Sequence, residues 1–308
     1  MKIKSILLSA ASLCLAATFV QAKVRVVATT EDLAALTREV GGDLVEVRSI
    51  AKGYQDPHFV EAKPSYLLGL KRADLFIQVG LELETAWAPA LLTGSRNPKI
   101  LPGGPGFLDA SGGCEILQKV AGGVDRSMGD IHPLGNPHYW LDPSNGRAIA
   151  SNVAEKLSAL DPGHAAGYRA NLEHFRSRLA EKEMEWDETA SVIRGVKAVT
   201  YHDSWPNFAG RFGIEVVGYI EPKPGVPPSP AHVRDLIGLI RSQKVPVILV
   251  EPYFDLKLPE KIAREAGARL LVFPPSVGAE PGIRAYFDLF DRLLGLLRGA
   301  VAAGEANP

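Results

Sequence analysis

The chain has 308 residues, 46% of them hydrophobic and 22% charged, with 34 Lys+Arg set against 35 Asp+Glu. This composition excludes a disordered segment and a collagen-like fibre. The balanced charge, with no basic run, excludes the electrostatic footprint of a nucleic-acid partner, and the length allows one large domain or two of ordinary size.

The N-terminus reads as a targeting segment. Lys2 and Lys4 precede an apolar run from Ile6 to Val20, and Val20-Gln21-Ala22 fits a small-residue cleavage site. Residues 1–22 are therefore expected to be a signal peptide cut before Lys23. The stretch is short and rich in Ser and Ala, which argues against a membrane span. Cys14 follows Leu13, where a lipidation motif wants Gly or Ala, so no lipid is expected. No later segment reaches the ~20 apolar residues of a membrane helix. An exported periplasmic product is expected, with 32 basic and 35 acidic residues after cleavage. Cys114 is then alone and is expected to be a free thiol.

From Lys23 onward, strand-like and helical stretches alternate. Strands are predicted at Val24–Ala28, Leu44–Ile50 and Leu75–Val79, and helices at Glu31–Val40, Pro64–Leu70 and Glu82–Leu92. Such a rhythm indicates βαβ units and a mostly parallel sheet. Gly103–Gly113 and Ala121–Pro137 read as loops. Asp161–Arg194 differs, because Tyr168, Leu172, Phe175, Leu179, Trp186 and Ile193 share one face and no Pro or Gly interrupts His174–Ile193. One long helix is expected there. A coiled-coil dimer is the alternative, but Lys182 and Thr189 interrupt its seam. The rhythm then resumes, with strands at Val196–Tyr201, Glu215–Ile220, Val245–Val250 and Arg269–Phe273. Helices are expected at Asp203–Phe212, Ala231–Gln243, Leu258–Ala266 and Ile283–Ala302. Pro222–Pro230, with five prolines in nine residues, reads as extended and stiff. The fold class is α/β: two lobes, 23–160 and 195–308, each a mostly parallel sheet flanked by helices, bridged by a long α-helix over 161–194.

Three of the seven histidines stand at junctions between elements. His58 follows Asp56-Pro57 after the second strand. His138 follows Asn136-Pro137, and Asp142-Pro143 opens the helix beyond it. His202 ends the strand Val196–Tyr201. In open α/β sheets ligands bind beyond the carboxyl ends of strands, so three imidazoles delivered there suit a borderline metal such as zinc. His164, His174 and His232 read instead as surface or helix-capping residues.

Four pieces occur in order: Asp56-Pro57-His58-Phe59-Val60-Glu61-Ala62-Lys63-Pro64-Ser65, Asn136-Pro137-His138-Tyr139-Trp140-Leu141-Asp142-Pro143, Tyr201-His202-Asp203-Ser204 and Val250-Glu251-Pro252. This set resembles the periplasmic zinc/manganese solute-binding proteins of bacterial ABC importers, over nearly the whole mature chain. The resemblance implies two lobes on a rigid helix, a metal between them, and His58, His138 and His202 as ligands. Two departures stand out. The His-rich loop of many zinc-binding relatives is reduced here to Gly122–Gly135, which holds only His132. The usual Asp-Pro after the last strand reads Phe273-Pro274-Pro275. Glu251 is the nearest candidate for the fourth ligand; a buried structural acid and a water ligand are its alternatives. His132 is a candidate for a second, weaker metal contact. Glu61, Asp203 and Glu221 are candidate acceptors for imidazole N–H groups.

The expected function is a monomeric metal receptor that captures zinc and hands it to a membrane permease. Manganese or iron is the alternative cargo. A zinc hydrolase is the rival class, because three histidines and water also describe catalytic zinc; no His-Glu-x-x-His or Gly-x-Ser-x-Gly string supports it. An adhesin on the same scaffold is a third reading.

Overall fold

The computed structural model describes residues 22–305 except 121, 123–128 and 130. The expected signal segment up to Gln21 lies outside the described residues, as does half of the shortened loop.

The first sheet holds β1 (Val24–Ala28), β2 (Val45–Ser49), β3 (Leu75–Gln78) and β4 (Phe107–Asp109), in the order β2-β1-β3-β4 and parallel throughout. The second repeats this arrangement as β6-β5-β7-β8, from β5 (Lys197–Thr200), β6 (Glu215–Tyr219), β7 (Val247–Val250) and β8 (Arg269–Val272). β4 arises from the glycine-rich stretch expected to be loop; Gly106 lies too close to the Asp74 carbonyl to tolerate a Cβ, which lets this edge strand dock on β3.

The flanking helices begin where the local chemistry says they should. The Thr30 side chain accepts from Leu33 N–H to start α1 (Glu31–Gly41). Proline opens α2 (Pro64–Arg72), α4 (Pro143–Leu160), α6 (Pro206–Phe212) and α7 (Pro230–Gln243), where its missing N–H costs nothing. α3 (Ala88–Ser95), α8 (Lys257–Ala266) and α9 (Tyr286–Glu305) complete the set. α3 starts six residues later than predicted, and the intervening turn matters below.

The long helix is present as α5 (Ala165–Ser191), preceded by a 3₁₀ turn at Pro162–His164. Its 27 residues span about 40 Å. Tyr168, Leu172, Phe175, Leu179 and Trp186 are buried along one face, as the spacing requires. The first half lies on the first lobe, where Asn171 donates to the Val40 carbonyl and Arg178 pairs with Glu39. From Phe175 onward the helix also lies on α9, with Phe175 stacked on Phe287 and Trp186 Nε1 donating to Asp291. One apolar core runs from β1 and α1 through α4 and α5 to α6, α9 and β7. The outer faces of the two sheets have their own clusters, around Phe76 and Leu91 in one lobe and Ile248 and Ile262 in the other. Alternation within strands makes this division: Val26 and Ala28 face inward while Val27 faces outward.

The proline-rich segment is not extended throughout, since an antiparallel bridge between Lys223 and Val226 folds it into a turn around Gly225. Cys114 is free, as expected, and burial, then Asp109 and Asp142, push its thiol up to about 12. No described helix is long and apolar enough to cross a membrane.

Candidate metal centre

His58, His138 and His202 meet between the carboxyl ends of the two sheets. One ligand atom from each lies within 4.8 Å of the others, and this is the group of that kind found among the described residues. Their ring centroids are 5.2 to 5.6 Å apart.

Two of the three are set by the same local device. Asp56 Oδ1 accepts both the backbone N–H of His58 at 2.9 Å and its ring Nδ1 at 2.8 Å. Asn136 Oδ1 does the same for His138, at 3.0 Å to each nitrogen. An Asx side chain readily accepts from the N–H two residues on, and the proline between fixes the turn. The Asn136 amide cannot be reversed, because its Nδ2 donates to Gln118 Oε1 and to the Asp203 carbonyl of the other lobe. With Nδ1 as donor, each ring holds its proton there and turns a bare Nε2 to the centre. Both Nε2 atoms are buried without a hydrogen-bond partner. Buried orphan acceptors are rare in folded proteins, and here a cation satisfies both. Trp87 Nε1 donates to the Pro57 carbonyl and pins the first turn.

His202 is held differently. Its Nδ1 meets Glu221 Oε2 at 2.8 Å, just beyond β6, and Thr200 Oγ1 donates to its carbonyl. The electrostatics follow the partners. Burial, then the neighbouring imidazoles, drive the His138 pKa well below its ordinary value. Burial also acts to lower His202, but Glu221 and Glu251 outweigh it and its pKa is raised. Burial would lift Asp56, yet the His58 ring and N–H hold it below the usual carboxylate range.

Of the candidate acceptors, Glu221 takes the expected role. Glu61 is exposed, and Asp203 contributes its backbone carbonyl rather than its carboxylate. Asp56 and Asn136 were not anticipated in this role; the repeated Asx-Pro-His string was the signal. Glu251 stands outside the converging group. It is fully buried after β7, its Oε1 accepts Trp205 Nε1–H at 3.0 Å, and Oε2 has no partner. Burial raises its pKa to about 7 against the pull of His202. Pro274-Pro275 brings no donor side chain, and the Pro275 carbonyl accepts from Trp140 Nε1. His164 bonds Asp161 at the start of α5, His232 bonds the Tyr219 carbonyl, and His174 is exposed, all apart from the trio. His132 is nearer than expected, its ring 5.3 Å from that of His58.

A cleft of about 210 Å³ opens onto this centre, lined by His132, His138, His202, Asn136 and Asp203. The arrangement can hold a divalent cation by nitrogen.

Comparison with known proteins agrees with this geometry. The family described as zinc-uptake complex component A, periplasmic, matches residues 26–300. A manganese ABC transporter substrate-binding lipoprotein, PsaA of Streptococcus pneumoniae, is 28% identical over 269 residues, 84% of this chain and 82% of the relative. The high-affinity zinc uptake system protein ZnuA of Brucella abortus is 30% identical over 157 residues, 51% of this chain and 46% of the relative. A crystal structure of ZnuA superposes with a TM-score of 0.76 at 25% identity, covering 90% of this chain and 99% of the other. The laminin-binding protein Lmb of Streptococcus agalactiae, described as having adhesin and metal transporting activity, gives 0.72 at 26% identity, with 90% and 99% covered.

Proposed function

The chain belongs to the zinc-uptake complex component A family of metal-binding components of ABC transporters, and from that premise we propose that its cargo is zinc, held by Nε2 of His58, His138 and His202. The family is one of binding proteins, so the hydrolase reading is set aside. A membrane permease is the partner that receives the metal. Relatives named for zinc and for manganese both match, so the choice of cargo rests on this chain's own donors.

The observation that carries the choice is a centre of orphaned imidazole nitrogens with no carboxylate oxygen in the converging group. Neutral nitrogen suits zinc, whereas manganese favours oxygen. Glu251 supplies negative charge behind His202. The lobes 23–160 and 195–308 each contribute ligands, and the protein works as a monomer in the periplasm after loss of residues 1–22. Intact mass beginning at Lys23 checks the processing, and a lipid on Cys14 would overturn it. Competition titration tests the cargo: zinc should bind at least ~100-fold ahead of manganese, following the ligand preferences of the two metals. Equal or tighter manganese binding would reject the assignment.

A further inference from the structure

Building on the zinc reading, the trio leaves one corner of the coordination tetrahedron to fill, since zinc in protein sites takes four donors. Pro274-Pro275 offers no side-chain donor. Glu251 has one oxygen committed to Trp205 and lies outside the converging group. His132 also lies outside that group, but it lines the same cleft as His138 and His202. Its ring is 5.3 Å from that of His58, matching the 5.2 and 5.4 Å that separate His58 from His138 and His202. Its Nε2 is buried without a partner, like those of His58 and His138. A histidine in a merely structural role would be expected to pair that nitrogen or leave it in water.

The backbone beside the ring is unusual. The Leu81 backbone lies against the His132 ring. Leu81 sits in a run of three residues with positive φ: Gly80 at 81°, Leu81 at 52° and Glu82 at 69°. Leu and Glu are strained in that conformation, and such strain gathers at functional sites. The run is kept in place by the buried Glu84, which accepts from Val79 N–H at 2.7 Å, Gly80 N–H at 3.1 Å and Thr29 Oγ1 at 2.6 Å. The end of β3 is thus turned aside at a cost, and its backbone meets His132. His58 and His138 share one pattern, an Asx partner on Nδ1 and an orphan Nε2, and His132 shares the orphan Nε2.

We propose that His132 is the fourth zinc ligand, held in place by the strained Gly80–Glu82 turn. His132 is not among the three residues whose ligand atoms lie within 4.8 Å of one another, so it closes by a short step when zinc draws the nitrogens to about 3.4 Å apart, the edge of a tetrahedron with ~2.05 Å bonds. Four neutral donors then complete the tetrahedron, three of them from the first lobe.

Zinc-edge X-ray absorption on the whole chain with one equivalent of zinc tests this directly. The expected result is four nitrogens at about 2.0 Å with outer scattering from four imidazoles; three imidazoles with an oxygen would overturn it. By titration with zinc alone, His132→Ala should weaken binding more than ~100-fold, beyond what loss of an outer hydrogen bond costs. His132→Asp, which keeps a ligating atom, should retain more affinity than His132→Ala. Equal losses in the two variants, or a Glu251→Gln loss as large as that of His132→Ala, would overturn the proposal. The two levels fail separately. If His58→Ala, His138→Ala and His202→Ala lose zinc but His132→Ala keeps it, the fourth ligand alone is wrong; if those three variants keep zinc, the centre itself is wrong.

Discussion

His58 and His138, in the first lobe, each rest on the Asx side chain two residues before them. His202, in the second, rests on Glu221, which arrives from a different strand. The sheets beneath are alike in strand order, yet one lobe orients its imidazoles by local turn chemistry and the other by tertiary packing. The charge differs too. An amide carries His138, whereas two carboxylates, Glu221 and Glu251, surround His202 and raise its pKa. The first lobe brings two imidazoles with the Asp56 carboxylate, and the second brings one with Glu221 and Glu251 beside it.

Removing the ligands should abolish this contrast altogether. His58→Ala, His138→Ala and His202→Ala should each lower zinc affinity more than ~100-fold, exceeding the usual effect of an outer partner. His164→Ala and His174→Ala should leave it unchanged; competition titration reads all five. The orienting groups should separate the lobes. Asn136→Ala releases a ring, a turn and the tie to the Asp203 carbonyl, so a loss toward the upper end of the ~10–100-fold range is expected. Glu221→Gln keeps an oxygen that can accept from His202 Nδ1, and its loss should lie near the lower end. A larger loss for Glu221→Gln would mean that charge matters more than local geometry.

Stability against pH probes the seam between the lobes. Asp32 on α1 accepts from Ser276 Oγ and Val277 N–H of the other lobe. Burial raises its pKa to about 7 despite those donors. The folded protein therefore keeps a proton that the unfolded chain has released above about pH 4. This contribution to stability is full below about pH 4 and fades as pH rises through 7. Thermal unfolding across pH 4 to 8 should show that decline, and Asp32→Asn should flatten it. The smallest effect expected is none: small-angle scattering with and without zinc should give nearly the same radius of gyration, and a wide clamshell closure would contradict the strut-like α5.

Much of the frame was readable because it is written in short-range pattern. The buried face of α5 follows from Tyr168, Leu172, Phe175, Leu179 and Trp186, and the helix starts follow from Thr30, Asp142 and prolines. Where prediction missed, a distant partner decided. Glu82–Leu92 has helical periodicity, but Glu84 turns its carboxylate onto Val79 and Gly80, so the helix begins only at Ala88. The glycines around Phe107 spoke for loop, while edge pairing with β3 made a strand. In the site, the three histidines were visible from their places beside strand ends. The orienting acceptors were half visible: Asp56 and Asn136 lay within the quoted strings, whereas Glu221 reaches His202 only once β5 and β6 pair. Glu251, near His202 in the field it exerts, turns out to be tied to Trp205 by a packing relation that no spacing reveals.

The core beneath the cleft has no parting line. Phe175 stacks on Phe287 with ring centroids 5.4 Å apart, and Trp186 lies 5.0 Å from Phe290, in an interior continuous from one sheet to the other. Prising the lobes apart would expose such side chains at about 1.5–3 kcal/mol each. In mechanical terms the molecule is a vise cast in one piece, with jaws that cannot be unscrewed. Any unloading would then fall to the short turns carrying His58 and His138, each seated by a few hydrogen bonds, with the casting left untouched.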